Sequence, residues 1–340
     1  MHHLHLRILK VVQETPDSIS YFFDAPGLQY VAGQFLTVII PQLGNGVRRA
    51  YSFCSSPSAD KYPGITVKRI ENGLVSRYIH SNWKEEVWVE CLPPAGKFVL
   101  PQKWDRTPVF VAAGSGIVPI ISMIKQLLAT GYKLPLYLVY SNHSKKSSIF
   151  LYQLEELASE HPQLHIKWFF SDAFLVSEAR LNGEFLDKLF GEVKKENESG
   201  FQVFSCGPES FMYLTEVHSH LNGAGNNYFH REVFWKEEVT EHQVHQFASG
   251  SFEVHISFPG GIKKLNVPGN RTILSVALEN NLNLAWSCSA GRCSTCQMVL
   301  KAGKVYMSRN EVLTEKDINK GLILTCTAYP VQGPLLLDFS

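Results

Sequence analysis

Four cysteines near the end of the chain carry the chemistry that is easiest to name: Cys288, Cys293, Cys296 and a distant Cys326. They read C-x4-C-x2-C followed by a fourth cysteine much further on, the plant-type spacing in which four thiolates hold a [2Fe–2S] cluster. In the loop Cys288-Ser289-Ala290-Gly291-Arg292-Cys293, small residues leave room, and Gly291 tolerates positive φ, so that backbone N–H groups can point at a cluster sulfur. A structural zinc site is the alternative, but such sites show two matching C-x2-C pairs and only one is present. The expected metal ligands are therefore these four thiolates, and the expected activity is electron transfer.

Three further motifs point to nucleotide chemistry. Arg48-Arg49-Ala50-Tyr51-Ser52 contains R-x-Y-S, a flavin-binding pattern when it lies on a barrel strand. A guanidinium at Arg49 neutralises a flavin phosphate, the Tyr51 ring packs on the isoalloxazine, and the Ser52 hydroxyl can donate to or accept from its N5 region. Gly73-Leu74-Val75-Ser76 offers backbone N–H groups and a hydroxyl to a pyrophosphate at a helix start, although Ser76 also reads simply as an N-cap. Gly114-Ser115-Gly116-Ile117-Val118-Pro119 joins a strand to a helix and departs from G-x-G-x-x-G only in Pro119, which suits a first helical turn. Ser205-Cys206-Gly207-Pro208 ends another apolar strand, and its Gly-Pro turn is expected to expose the Cys206 thiol at the sheet edge where ligands bind; a small buried thiol is the plainer reading.

These motifs need a scaffold in three parts. Residues 1–102 hold short alternating segments, Leu6–Val12, Ser18–Phe23, Phe35–Ile40, Gly64–Ile70 and Glu86–Cys91. Turn signals at Pro26-Gly27, Ala32-Gly33 and Pro93-Pro94 separate them and predict an antiparallel barrel. Residues 103–235 alternate strands (Pro108–Ala113, Leu134–Tyr140, His165–Phe170, Phe201–Ser205) with helices (Ile117–Leu128, Leu151–Glu160) and predict an α/β parallel sheet. A polar stretch at 236–250 reads as a linker. Residues 251–340 offer the strands Phe252–Phe258, Lys263–Val267, Gln297–Lys301 and Leu335–Phe339 with a helix at Ile273–Asn280 and the cysteine loop between them.

Composition narrows the class. The chain has 340 residues, 45% hydrophobic and 19% charged, with formal net charge +1, so bulk electrostatics give no argument for nucleic acid or an anionic membrane. No apolar run reaches the roughly 18 residues a membrane helix needs, and the start lacks the apolar core of a signal peptide. Seven cysteines, with Cys54, Cys91 and Cys206 isolated from the quartet, suit a reducing compartment, and the cytoplasm is expected.

Taken in order, the motifs resemble the ferredoxin–NADP reductase superfamily, and within it the oxygenase reductases with a C-terminal plant-type ferredoxin domain. The segment Arg49-Ala50-Tyr51-Ser52-Phe53-Cys54-Ser55-Ser56-Pro57 is similar to the reductases of phenylacetyl-CoA epoxidase complexes. The resemblance implies an FAD-binding β-barrel, an NAD(P)-binding α/β domain and a β-grasp domain for the [2Fe–2S] cluster. It implies that Arg49, Tyr51, Ser52 and Ser76 hold FAD with backbone at Val67, Lys68, Gly73, Leu74 and Val75. Gly114, Ser115, Gly116, Pro119, Asn142 and Ser144 would border NADPH or NADH, with Cys206, Gly207 and Pro208 near its ring. Glu232 and Phe234 match the acidic-aromatic end of the reductase module, so Ser52, Cys206 and Glu232 are the expected residues at the reacting centre.

Two positions depart from the family. His143 stands where an arginine often meets the 2′-phosphate of NADPH, leaving Lys145, Lys146 or Arg180 to substitute and the choice of nucleotide open. Ser289 replaces a common arginine in the cluster loop while Arg292 precedes Cys293, which moves a charge beside the cluster. The implied function is a relay from NAD(P)H through FAD and the cluster to a terminal oxygenase or another iron-protein acceptor. A desaturase or ring-hydroxylating dioxygenase is an alternative client, and a non-catalytic redox carrier or sensing protein is an alternative function.

Overall fold

The computed structural model describes residues 3–44, 47–102, 105–234, 250–258, 261–282, 284–287, 289–291, 293–310 and 312–339. They form two compact units, one from residues 2–47 and 51–235 and one from the C-terminal residues, with which Arg48–Ala50 group; the strands make three sheets.

The first sheet comprises β1 (Leu4–Thr15), β2 (Ser18–Asp24), β3 (Phe35–Ile39), β4 (Arg48–Ser52), β5 (Gly64–Lys68) and β6 (Trp88–Ala95) in the order β4-β3-β6-β1-β2-β5. Its β1/β2, β1/β6, β2/β5 and β3/β6 pairs are antiparallel. An antiparallel bridge from Phe53 to Ile65 joins the continuation of one edge strand to the other edge, which curls the sheet into a barrel. The residues pointing inward, among them Ile8, Tyr21, Phe23, Leu36, Val38 and Val67, make its core. Pro93-Pro94, expected to mark a turn, instead lies inside β6. The pairing of β3 with β6 skips from Phe35↔Ala95 to Thr37↔Leu92, so a bulge absorbs two residues that have no N–H to give the ladder.

The second sheet comprises β7 (Thr107–Ala113), β8 (Leu136–Asn142), β9 (Leu164–Phe170), β10 (Phe201–Cys206) and β11 (Phe229–Glu232). The order is β11-β10-β7-β8-β9, and neighbouring strands run parallel throughout. Central strands β7 and β10 are almost wholly buried, as expected of apolar runs covered by helices on both faces. The helices of this unit are α1 (Leu74–Asn82), which belongs with the barrel, then α2 (Ile117–Ala129), α3 (Leu151–Glu160), the single turn α4 (Val176–Ala179), α5 (Gly183–Glu196) and α6 (Glu209–Leu221). From β7 the chain builds outward through β8 and β9, then returns to lay β10 on the other side of β7. The strand order therefore reverses between β7 and β10, where open α/β sheets leave a crevice for ligands.

In the C-terminal unit, β12 (Ser251–Phe258) and β13 (Gly261–Pro268) form an antiparallel hairpin, and β14 (Gln297–Met307), β15 (Leu322–Leu324) and β16 (Ala328–Phe339) complete the order β13-β12-β16-β14-β15. The β12/β16 pair is parallel and β14/β16 antiparallel, a mixed sheet onto which the helix Ile273–Glu279 packs through Ile273, Leu274, Val276 and Ala277. Thr272 caps that helix by accepting from the Ser275 amide. The strand read at Leu335–Phe339 begins seven residues earlier than expected, at Ala328. The polar stretch 236–250 lies, Gly250 apart, outside the described residues. No helix among the described residues is long and apolar enough to cross a membrane.

Candidate active site

At the crevice between β7 and β10, two turns nearly touch. A Cβ placed on Gly116 would sit 2.0 Å from the Cys206 carbonyl oxygen, and one on Gly207 would sit 2.9 Å from the Ala113 Cβ. Only glycine permits this approach, which brings the turn Gly114–Gly116 against the end of β10. Pro119 is buried in the first turn of α2, as its fixed φ requires. The Tyr140 hydroxyl donates to the Gly114 carbonyl at 3.0 Å and so ties β8 to the same turn. Tyr140 is not among the residues expected here; an aromatic residue two positions before a strand end is its only signal.

The Cys206 thiol is not presented at the sheet edge. Its residue is 0% exposed, because the Gly116 turn closes over it and β11 flanks it with Cys206 opposite Glu232. Gly207 is half-buried and Pro208 exposed, where α6 begins without a side-chain cap. From the barrel, the buried Ser52 donates its hydroxyl to Glu232 Oε2 at 3.1 Å. Glu232 thus connects Ser52 and Cys206, by its hydrogen bond to the first and by its register opposite the second, although the chain separates Ser52 widely from both. Phe234, just beyond β11, is 44% exposed.

Along β4, Arg49 is exposed and donates to the neighbouring Arg48 carbonyl at 2.7 Å, while Tyr51 is half-buried. Ser76 does not cap α1: the cap is Gly73, with no side-chain bond, and Ser76 lies in the first turn. Its hydroxyl accepts from the Ile70 amide at 3.2 Å and donates to the Gly73 carbonyl at 3.3 Å. The first-turn amides of Leu74, Val75 and Ser76 therefore have no side-chain cap, and such amides suit a phosphate. Val67 is buried with its carbonyl accepting from His80 at 2.8 Å, and Lys68 pairs with Asp17 at 3.5 Å.

Beyond β8, Ser144 spends its hydroxyl on a capping box with Ser147, while His143, Lys145 and Lys146 are exposed. Asn142 is different. Its Nδ2 is buried with no partner at hydrogen-bonding distance, and so is Ser205 Oγ, one residue before the end of β10. Orphaned buried donors are costly, and two of them at the carboxyl ends of strands around one crevice fit a site meant for a dinucleotide. Ser205 is not among the expected site residues, since a serine inside an apolar strand carries no motif.

In the C-terminal unit, Cys293, Cys296 and Cys326 are buried at 7%, 4% and 8% exposure. Thr325 donates to the Cys296 carbonyl from its amide at 3.2 Å and from its hydroxyl at 3.0 Å, which binds the Cys326 segment to the cysteine loop. A hydrogen bond with Cys326 is the largest influence on the Cys296 thiol, and it holds that thiol below the ordinary range against the opposing effect of burial. The loop backbone is left-handed at Ser289 (φ 51°), Gly291 (φ 73°) and Ser294 (φ 55°), and a Cβ on Gly291 would lie 2.7 Å from the Arg309 carbonyl. Strain of that kind concentrates at ligand-holding loops. The donor set is soft and suits iron–sulfur ligation. Cys288 and Arg292 lie outside the described residues.

Family models match the chain in the same order: an oxidoreductase FAD-binding domain over 6–100, an oxidoreductase NAD-binding domain over 110–216 and a 2Fe-2S iron-sulfur cluster binding domain over 259–331. The ferredoxin reductase component of 3-ketosteroid-9-alpha-monooxygenase from Rhodococcus rhodochrous is 33% identical over 98% of this chain and 96% of its own. The chain belongs to the family of oxygenase ferredoxin reductases. A component of the 1,2-phenylacetyl-CoA epoxidase from Escherichia coli is 29% identical over 98% of this chain and 97% of its own. Among solved structures, phthalate dioxygenase reductase is similar over 99% of this chain and 98% of that one, at 26% identity and TM-score 0.64. An intact type IV self-sufficient cytochrome P450 monooxygenase shares the fold at TM-score 0.75 and 24% identity, this chain covering 41% of that one. This reductase is an electron-transfer protein of oxygenase systems, with an FAD domain, an NAD(P) domain and a [2Fe–2S] domain, as the motifs implied.

Proposed function

We propose that the crevice between β7 and β10 takes NADPH or NADH, that β4 and the start of α1 take FAD, and that Cys288, Cys293, Cys296 and Cys326 ligate the cluster. The observation that carries this reading is the Ser52–Glu232 hydrogen bond, which joins the flavin strand to the strand end beside Cys206 and the Gly116 turn. Bound flavin supplies the exchange between two-electron hydride chemistry and the one-electron chemistry of the cluster.

The protein's own part is to bind and orient. Arg49 meets a flavin phosphate, Tyr51 covers the ring, and the amides of Leu74, Val75 and Ser76 receive the pyrophosphate, with Val67 and Lys68 backbone beside the ring system. Gly114, Ser115, Gly116 and Pro119 border the nicotinamide dinucleotide, Asn142 Nδ2 and Ser205 Oγ donate to it, Ser144 shapes the turn beyond it, and Gly207 and Pro208 let its ring come close to Cys206. Ser52 Oγ, held by Glu232, keeps a proton beside the flavin position, and Phe234 shields that position. The domains run 1–102, 103–235 and 251–340 with 236–250 as linker, and the compartment is the cytoplasm.

The client is a terminal oxygenase. A phenylacetyl-CoA epoxidase is the second reading, favoured by the segment Arg49–Pro57. A passive redox carrier loses its ground, since an NAD-binding oxidoreductase domain is part of the chain. The deciding experiment is an anaerobic titration with NADH and, separately, NADPH, followed by visible absorbance and low-temperature EPR. Flavin bleaching together with the signal of a reduced [2Fe–2S] centre is expected, and the tighter nucleotide sets the preference. No bleaching with either nucleotide overturns the reading.

A further inference from the structure

Helix α2 is apolar and deeply buried, yet one face of it carries Ser122, Lys125 and Gln126, spaced i, i+3, i+4. All three side chains reach a single segment, residues 54–60, which leaves β4 directly after Tyr51 and Ser52. Ser122 Oγ donates to the Ser55 carbonyl at 2.6 Å. Lys125 Nζ donates to the Cys54 carbonyl and to both Asp60 carboxylate oxygens, each at 3.3 Å. Gln126 donates to Ser58 Oγ and accepts from Ser56 Oγ, both at 2.7 Å. Asp60 also accepts from the Ser56 amide at 2.7 Å, so the segment is braced from within as well.

A lysine only 7% exposed, among Ile121, Met123, Ile124 and Leu128, is an unusual choice for a helix interior. An apolar side chain would fill the space without the cost of desolvating a charge, and buried ion pairs are poor stabilisers. What such a pair does provide is a fixed geometry. At the opposite end of the same helix stands the Gly114–Gly116 turn, about 13 Å from Lys125 along a rod of 1.5 Å rise per residue. One stiff element therefore connects the segment after the flavin strand to the turn at the nucleotide crevice.

We propose that Lys125, supported by Ser122 and Gln126, is a positioning residue for hydride transfer: it fixes where the nucleotide turn stands against the flavin strand. The inference rests on the function proposed above. Lys125 exchanges no electron or proton in the step; it acts through the 54–60 segment.

The test uses the full chain loaded with FAD and cluster. In Lys125→Met, the saturating rate of flavin bleaching by nucleotide should fall about tenfold or more, because an ångström of misplacement is enough to cost that. Half-saturating nucleotide should stay within about threefold of wild type, and Lys125→Arg should recover most of the rate. In nucleotide-free protein, amide hydrogen exchange across residues 54–60 should speed up in Lys125→Met and return in Lys125→Arg. Should the methionine variant fail to fold or lose flavin, Lys125→Met/Asp60→Asn removes both charges together and should show the same fall in rate. An unchanged saturating rate in a flavin-loaded variant overturns the proposal, as does a loss confined to nucleotide affinity, or unaltered exchange. A wild-type protein that fails to bleach sinks the functional reading and this inference with it, whereas normal wild-type bleaching beside an unaffected variant sinks the positioning role alone.

Discussion

In the C-terminal unit the expected ligands are side chains, with Cys293 and Cys296 in one loop and Cys326 bound to them through Thr325. In the parallel sheet the proposed nucleotide crevice is built mostly of backbone: the Gly114–Gly116 turn, the Cys206 carbonyl beneath it, and the ends of β8 and β10. The difference has a consequence for substitution. A thiolate ligand is a single donor atom, so its removal should act all at once. A backbone cradle has no single atom to delete and should weaken by degrees as its shape is disturbed.

The largest effect is therefore expected from Cys296→Ala. The variant should lose its cluster iron and acid-labile sulfide and the EPR signal of the reduced centre, and electron delivery to an oxygenase should fall to background. Flavin bleaching by nucleotide should stay within about twofold, because the nucleotide crevice lies in the other unit. Metal binding adds to folding free energy, so the C-terminal unit should also unfold at lower denaturant. A fully iron-loaded Cys296→Ala protein would remove Cys296 from the ligand set and break the contrast at its strongest side.

A graded effect is expected from Gly116→Ala. The new methyl carbon would lie 2.0 Å from the Cys206 carbonyl oxygen, a contact with backbone that no rotamer can relieve. Overpacking of this kind costs about 1–3 kcal/mol, read as a lower urea midpoint. The displaced turn should also raise half-saturating nucleotide while cluster content stays whole. An alanine variant with wild-type stability and wild-type nucleotide titration would mean that the two turns do not approach as described.

The same contrast explains what could be read in advance. The cysteine spacing, the glycine turns and the strand-helix rhythm announce themselves locally, and the helix Leu151–Glu160 matches its expected span. The meeting of Ser52 with Glu232, or of Lys125 with Asp60, depends on which strand lies beside which, and no local pattern encodes that register. Lys125 reads as one polar position on an apolar helix, and Ser205 as a serine in an apolar strand. At Cys206 the plainer reading, a small buried thiol, holds, because the Gly116 turn covers the end of β10 that a Gly-Pro turn alone would have exposed. At Pro93-Pro94 a bulge lets the strand continue where turn chemistry argued for a stop.

The smallest effect separates the two regions by pH. His230 on β11 stacks on Phe204 with ring centroids 4.9 Å apart, and its Nε2 lies 2.9 Å from the Gln202 amide nitrogen. A neutral imidazole accepts that amide proton at Nε2, whereas an imidazolium would set one donor against another. Burial accordingly holds the His230 pKa below its ordinary 6.5. The unfolded chain then binds the proton more readily than the folded one, so the stabilisation is complete above pH 6.5 and is lost as pH falls from there toward the folded value. The urea midpoint of the N-terminal unit should drop between pH 7 and pH 5, and His230→Gln should flatten that slope. Since Glu232 follows two residues later on the same short strand, protonation of His230 should disturb the Ser52–Glu232 bond as well, and flavin bleaching should slow over the same interval. The cysteines proposed as ligands belong to the other unit, so the cluster spectrum should not follow that curve. A cluster signal that tracks the His230 titration would show that the two regions do not divide the work as side chains and backbone suggest.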